Sequence, residues 1–415
     1  MNTKLTKLTL NNVGGFKDFE INFNNQLTVL IGKNGSGKTT VLSSIAMIFD
    51  IALNALLESK NVRMEESIKN SFQEIYKNRD LLFSQMEALY IGINFKLNNE
   101  AKFLEMRGGG VLIYEELANG LIELYKQGKV LPIFVYYPTY NAPLNDVSFS
   151  DLEQDNHPLA FYISACKSGS FDFNRFFNWF RWQENLNKEV GSKPYNIIKK
   201  AIIEVLNSDI QKNTSNKYSN LHITWKKKYN GDLCIEKDGV SLDMNQLSAG
   251  EKMLLILVAD LSRRLVLANP KSSDPLQGDG IVMIDEIDLH LHPSWQRGII
   301  PKLTKIFPNC QFIVSTHSPL ILSDVKPENI VILEDFKALQ NTQHTQGRDS
   351  NSILSDIMDD SARPRKIQNK LNNCFKYIDQ EKFKQAKELL KELEESLGPN
   401  DPDIVYIHSL LEFYE

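Results

Sequence analysis

The residues best placed to do chemistry lie near the amino terminus. Gly32-Lys33-Asn34-Gly35-Ser36-Gly37-Lys38-Thr39 fits the pattern G-x-x-x-x-G-K-(S/T). Glycines at this spacing let the backbone N–H groups of Asn34, Gly35, Ser36 and Gly37 turn inward around phosphate oxygens. The following helix points its positive end at them. Lys38 reaches the terminal phosphates of a nucleotide, the Thr39 hydroxyl ligates Mg²⁺, and Thr40 closes the loop. The competing reading is a glycine-rich turn with a surface lysine. The context favours phosphate binding, because the loop lies between the apolar run Leu27–Ile31 and a helical pattern over Lys38–Leu57.

A second group of candidates sits far along the chain. Ile281-Val282-Met283-Ile284 is a wholly apolar strand pattern that ends on Asp285-Glu286. Ligands of open α/β sheets gather at such strand ends. Asp285 is expected to hold Mg²⁺, and Glu286 to orient or deprotonate an attacking water. Alone, the pair reads equally well as a solvated acidic turn. Leu247-Ser248-Ala249-Gly250-Glu251 precedes a helix, and Ser248, Gly250 and Glu251 there offer a second anion site. Taken by itself that segment is an ordinary helix N-cap. His317 ends a strand pattern over Phe312–Val314 and alone would be a satisfied histidine. His290 and His292 have no third ligand in the pattern and are not read as a metal site. Phe16 reads as a core aromatic in preference to a stacking partner for adenine.

These candidates need a scaffold. Residues 5–23 alternate as a β-hairpin bent near Gly14-Gly15. A polar helical segment is expected after residue 60, then strands near Leu89–Leu97 and Lys102–Met106, a bend at Gly108-Gly109-Gly110, a helix over Tyr114–Tyr125 and a strand over Ile133–Tyr137. Residues 150–215 read as helical and carry Phe171, Phe173, Phe176, Phe177, Trp179, Phe180 and Trp182. A hairpin over His222–Lys228 and Leu233–Lys237 turns at Asn230-Gly231. A helix from Glu251 to Ala268, a strand over Ile281–Ile284 and a helix over Ser294–Ile306 follow. Thr342–Ser352 is expected to be loop, and three short helical patterns close the chain. Phe383, Ala386, Leu390, Leu393 and Leu397 share one face, as do Ile404, Ile407, Leu411 and Tyr414, which predicts a small helical hairpin. The expected divisions are 1–140 and 221–340 for two lobes around the phosphate loop, 141–220 for a helical insert and 341–415 for a helical tail.

Bulk properties narrow the class. The 415 residues are 42% hydrophobic and 24% charged, as in an ordinary globular protein. A net charge of −5 does not describe a polycation that coats nucleic acid, though local basic clusters remain. Those are Trp225-Lys226-Lys227-Lys228, Lys199-Lys200, and Arg175 with Arg181; a solvated face or aromatic core is favoured for each. No apolar run reaches membrane-spanning length and no signal peptide is expected. Four dispersed cysteines fit ordinary thiols, so a cytoplasmic location without membrane partners is expected.

Taken in order, the phosphate loop, LSAGE, the Asp285-Glu286 strand end and Ser315-Thr316-His317 resemble the motif series of ABC ATPases, with Ala249 replacing one glycine of the signature. Asp288-Leu289-His290-Leu291-His292-Pro293 resembles the D-loop of the non-transporter branch. The glutamine of a Q-loop is expected and has no clear position. The resemblance implies an α/β fold: a P-loop NTPase of the ABC type with an antiparallel β subdomain, a helical insert and a C-terminal helical hairpin. It also implies head-to-tail pairing, in which Ser248 and Gly250 of one copy bind the γ-phosphate of ATP held by Lys38 of the other, with His317 as the switch histidine. The absence of sustained heptads sets the chain beside compact SMC-like ATPases of the RecF and OLD kind. Tyr136-Tyr137-Pro138-Thr139, Phe176-Phe177-Asn178-Trp179-Phe180 and Gly347-Arg348-Asp349-Ser350-Asn351-Ser352-Ile353-Leu354 resemble the antiphage ATPases of Septu (PtuA) and retron systems. That likeness implies ATP and Mg²⁺ as cofactors, a homodimer of heads or a higher oligomer, and a separate HNH nuclease (PtuB-like) gated by the ATPase. It leaves open a retron reverse transcriptase with its DNA or RNA, and nucleic-acid contact. No nuclease activity of the chain itself is expected. A RecF-like repair ATPase and an ATP-binding scaffold with negligible turnover remain the alternatives.

Overall fold

The strands buried along their whole length lie together in one sheet, and that sheet carries the candidate site. The computed structural model describes residues 3–57, 89–107, 111–113, 115–139, 159–167, 173–207, 217–224, 232–358 and 363–414. The chain forms two compact units, Met1–Gly347 and Arg348–Glu415.

The first unit opens with β1 (Lys4–Val13) and β2 (Phe16–Asn22), which pair antiparallel with Leu10 opposite Phe19. β3 (Leu27–Ile31) is buried at all five positions and leads through the phosphate loop into α1 (Lys38–Leu57). β4 (Tyr90–Leu97) and β5 (Glu100–Arg107) turn through Asn98 and Asn99, both at positive φ, the conformation a two-residue hairpin turn needs. β6 (Val111–Ile113) completes a five-stranded antiparallel sheet, β2-β1-β4-β5-β6. Next come α2 (Glu115–Lys126) and β7 (Ile133–Tyr137), and then the helices α3 (Phe173–Glu189) and α4 (Lys193–Asn207). β8 (Tyr218–Thr224), β9 (Asp232–Lys237) and β10 (Val240–Asp243) make a separate three-stranded antiparallel sheet before α5 (Ala249–Ala268). β11 (Gly280–Ile284), α6 (Pro293–Gln296), α7 (Ile299–Ile306), β12 (Cys310–Ser315), α8 (Pro319–Leu322), β13 (Ile330–Glu334) and β14 (Lys337–Gln340) finish the unit.

The central sheet runs β14-β13-β3-β12-β11-β7 and is parallel except for the β13–β14 pair. β11 and β12 are buried along their whole length, which requires cover on both faces and explains their apolar runs. The fold is therefore that of a P-loop NTPase of the ABC type, with an antiparallel β subdomain and a helical insert.

Several expectations change. The helix expected over Ser294–Ile306 is broken, because Gly298 sits at φ 92° and donates its N–H to Asp324 Oδ2 at 2.6 Å. The hairpin expected from His222 begins at Tyr218 and gains β10, where Val240 and Ser241 are exposed and Leu242 and Asp243 half-buried, so it shows no core pattern. The turn at Asn230-Gly231, the basic run 225–228, the helical segment after residue 60 and the bend at 108–110 lie outside the described residues. Phe173, Phe176, Phe177, Trp179 and Phe180 are buried as core, whereas Trp182 is 55% exposed.

In the second unit, Asp349 caps α9 (Ser350–Asp356) by accepting from the N–H groups of Asn351 and Ser352, where loop was expected. α10 (Arg365–Asp379), α11 (Phe383–Leu397) and α12 (Pro402–Tyr414) share one core. Leu371, Cys374 and Ile378 of α10 add a third face to the expected hairpin of Ala386, Leu390, Leu393, Ile404, Ile407 and Leu411. Tyr414 lies on the outside, 57% exposed, although its spacing predicted burial. No helix among the described residues is long and apolar enough to cross a membrane.

Candidate active site

Four neighbouring parallel strands deliver their carboxyl ends to one place. β3 delivers the Gly32 loop, β12 Ser315-Thr316-His317, β11 Asp285-Glu286, and β7 Pro138-Thr139. Such an edge is where open α/β sheets bind ligands.

The loop is shaped by Gly37. It lies at φ 99°, and a Cβ there would stand 2.3 Å from the Phe16 ring, so no other residue fits. Phe16 is consequently core, 1% exposed and packed on Phe19 with ring centroids 4.3 Å apart. Asn34 and Gly35 are exposed at the loop tip, with Thr39 exposed and Thr40 half-buried at the helix start. Lys38 is buried and donates Nζ to the carbonyls of Gly32 at 2.8 Å and Lys33 at 3.2 Å. Burial pulls its pKa down, against the raising influence of Asp285, Glu286 and Asp288. The Ser36 Oγ is buried inside the loop without a hydrogen-bond partner. A donor left in that state is matched by a phosphate oxygen.

Asp285 is the hub. Its Oδ2 accepts from Thr39 Oγ1 at 2.8 Å and from Thr139 Oγ1 at 3.0 Å, and its Oδ1 accepts from Ser315 Oγ at 2.5 Å. Ser315 Oγ in turn accepts the Glu286 N–H at 2.8 Å. That bond helps hold Glu286 at φ 50°, a conformation that disfavours residues with a side chain. Two ligands on adjacent corners of an octahedron, each about 2.1 Å from Mg²⁺, stand about 3.0 Å apart. The 2.8 Å between Thr39 Oγ1 and Asp285 Oδ2 fits that spacing. Magnesium in phosphoryl-transfer sites takes few protein ligands besides water and phosphate, and this pair suffices.

His317 is joined to the site through Asp288, whose Oδ1 accepts from Thr316 Oγ1 at 2.6 Å and from the His317 N–H at 3.2 Å. Burial lowers the His317 pKa, and Lys38 lowers it further, against Asp288, Glu286 and Asp285. The imidazole is therefore neutral at pH 7.

The signature residues form their own cluster at the start of α5. Ser248 is exposed and N-caps the helix, with Oγ accepting the Glu251 N–H at 3.3 Å. Gly250 faces the chain behind it, where a Cβ would stand 2.5 Å from the His290 carbonyl oxygen. The Glu251 carboxylate, expected to meet nucleotide, is instead buried. It accepts Ser248 N–H at 2.5 Å, Lys237 Nζ at 2.8 Å and the Tyr218 hydroxyl. Burial alone would raise its pKa, but those hydrogen bonds bring it down to about 2. His292 caps α6, accepting the Ser294 N–H at 3.3 Å.

Sequence reasoning did not assign roles to Thr139, Ser315 and Asp288. All three lay inside quoted motifs, Thr139 in the Tyr136-Tyr137-Pro138-Thr139 run that follows an apolar strand, but none was tied to the phosphate loop.

The model of the family described as "AAA domain, putative AbiEii toxin, Type IV TA system" matches residues 27–323. The chain is 29% identical to "Retron Ec83 probable ATPase" of Escherichia coli, over 97% of this chain and 85% of that one. It is 29% identical to "Retron Vc95 probable ATPase" of Vibrio cholerae serotype O1 biovar El Tor, over 81% and 75%. It is 25% identical to "Septu protein PtuA" of Bacillus thuringiensis, over 96% and 95%.

Proposed function

The chain belongs to the AAA-domain family whose model it matches from residue 27 to residue 323, and from that premise we propose that it binds and hydrolyses ATP to control a partner nuclease in antiphage defence. The observation that carries the ATPase reading is the meeting of Thr39, Thr139 and Ser315 on one carboxylate, Asp285, beside Glu286.

In this reading the phosphates of ATP lie on the N–H groups of the loop, with Ser36 and Lys38 turned to their oxygens. Thr39 and Asp285 would hold Mg²⁺, which when bound neutralises charge on the phosphates. Glu286 receives the proton of the attacking water or orients that water in line with the terminal phosphate. Neutral His317 donates a hydrogen bond to the terminal phosphate without adding a charge. Ser248 and Gly250, together with the N-terminal end of α5, come from a second copy and close the site over that phosphate. The exposure of Ser248 supports this, since a capping serine turned to solvent is free to meet another surface.

Similarity over 97%, 81% and 96% of this chain to two probable retron ATPases and a Septu protein supports the defence role. An HNH nuclease of the PtuB kind is the partner we propose, with ATP holding two heads together until hydrolysis or nucleotide loss releases it. The test begins with turnover. Glu286→Gln is expected to keep ATP affinity within about threefold and to lower the hydrolysis rate by about a hundredfold or more. Unchanged turnover by that variant would refute the assignment.

A further inference from the structure

The sheet β8-β9-β10 has no place in the chemistry above, yet two of its side chains end on the signature. Tyr218 of β8 and Lys237 of β9 stand directly opposite each other in the ladder. Both donate to the same oxygen, Glu251 Oε1: Lys237 Nζ at 2.8 Å, and the Tyr218 hydroxyl beside it. The ammonium of Lys237 also lies 5.4 Å from the centroid of the Tyr218 ring, so the two donors brace each other. The other carboxylate oxygen, Oε2, accepts the Ser248 N–H at 2.5 Å, and Ser248 Oγ accepts the Glu251 N–H at 3.3 Å.

A capping-box glutamate commonly lies at the surface and can swing away from its serine. Glu251 is 5% exposed, and both of its oxygens are engaged. Its orientation is thus set by a cross-strand pair in another element, and Ser248 follows that orientation through two reciprocal bonds.

We propose that Tyr218 and Lys237 are positioning residues for ATP hydrolysis: through Glu251 they fix Ser248 at the angle at which it meets the terminal phosphate of ATP bound by a second copy. This rests on the head-to-tail reading above and adds the small sheet as the element that makes the signature competent. A clamp that only stabilised α5 would affect folding and leave the second-copy contact alone. A positioning clamp acts on that contact and spares nucleotide binding by the loop.

The test uses the full chain with Tyr218→Phe, Lys237→Met and the double substitution. Affinity for a fluorescent ATP analogue is measured at concentrations where the chain is monomeric. ATP-dependent dimerisation is measured by sedimentation in the Glu286→Gln background, and kcat and thermal midpoint in the parent background. The double variant is expected to bind the analogue within about twofold of the parent, while dimerisation and kcat each fall about tenfold or more. Lys237→Arg, which keeps the donor, is expected to recover most of both. Dimerisation and kcat within twofold of the parent, or analogue affinity falling in parallel with them, overturns the proposal. If the double variant fails to fold, the near-isosteric Tyr218→Phe decides by the same criteria. A parent chain that never dimerises with ATP would remove the second-copy reading itself, a result distinct from a failure of the clamp alone.

Discussion

The carbonyl oxygen of His290 stands 2.5 Å from the point where a Cβ on Gly250 would lie. The start of the signature helix and the turn that follows Glu286 are therefore in backbone contact within one chain. Glycine at 250 is needed for that approach, since Gly250 is inside a helix where its propensity is unfavourable. The turn itself is constrained, with His290 at φ 63° and the Leu291 N–H bonded to the Asp288 carbonyl at 3.1 Å.

Gly250→Ala should therefore push the helix start and the turn apart. Ordinarily alanine stabilises a helix by about 1 kcal/mol over glycine. Here we expect a net loss of about 1–3 kcal/mol, as for other overpacked sites. Thermal unfolding of the variant checks this, and a rise in midpoint would contradict the contact.

Ser315 links the Asp285 carboxylate to the backbone of Glu286. Ser315→Ala removes the donor to Asp285 Oδ1 and strands the Glu286 N–H, whose conformation at φ 50° depends on it. The expected stability loss is about 1–3 kcal/mol for the unsatisfied groups, with turnover down about tenfold or more. Turnover equal to the parent would mean that Glu286 is held by something else.

Stability should also report Glu251. Its pKa is held down to about 2 in the folded chain, below the ordinary glutamate value of 4.5. A depressed carboxylate stabilises the fold above its unfolded pKa, and that contribution is lost as pH falls through the folded value. The window is thus pH 4.5 down to about 2. Chemical denaturation at a series of pH values in that range should show a smaller acid loss for Glu251→Gln than for the parent. An identical acid slope in both would contradict the buried network.

His317 carries the same sign in a higher pH range. Its folded pKa is lowered below 6.5 by burial and by Lys38, so the unfolded state takes up a proton first as pH falls. Its burial therefore costs stability below pH 6.5, and the ATPase rate is expected to keep its neutral-pH value down to pH 6.5 before declining. His317→Gln should flatten that acid limb in a pH–rate profile. A limb of unchanged shape would assign it to another group.

Much of this was legible in the sequence because it is local. The apolar runs Leu27–Ile31 and Gly280–Ile284 mark strands buried on both faces, and each ends on its chemistry. Gly37 could be read from spacing alone. Thr139 could not, because its bond to Asp285 spans 146 positions and depends on which strands become neighbours. Glu251 was read as a ligand because a carboxylate beside a signature looks available. Only the packing of Tyr218 and Lys237 turns it inward. The break at Gly298 was hidden by an unbroken helical pattern, since a side-chain acceptor 26 residues away stabilises it.

The central claim is that each ATP is gripped by one copy and closed by another, and mixing two inactive variants tests it most directly. Lys38→Ala removes the grip but keeps the signature, while Ser248→Arg blocks the signature but keeps the grip. Each alone is expected to be inactive. In a mixed dimer one intact site forms from the Ser248→Arg copy's loop and the Lys38→Ala copy's signature, so the mixture is predicted to recover ATP hydrolysis to roughly a quarter of the parent rate, from half the dimers with one site each. A mixture as inactive as its components would contradict a site shared between copies.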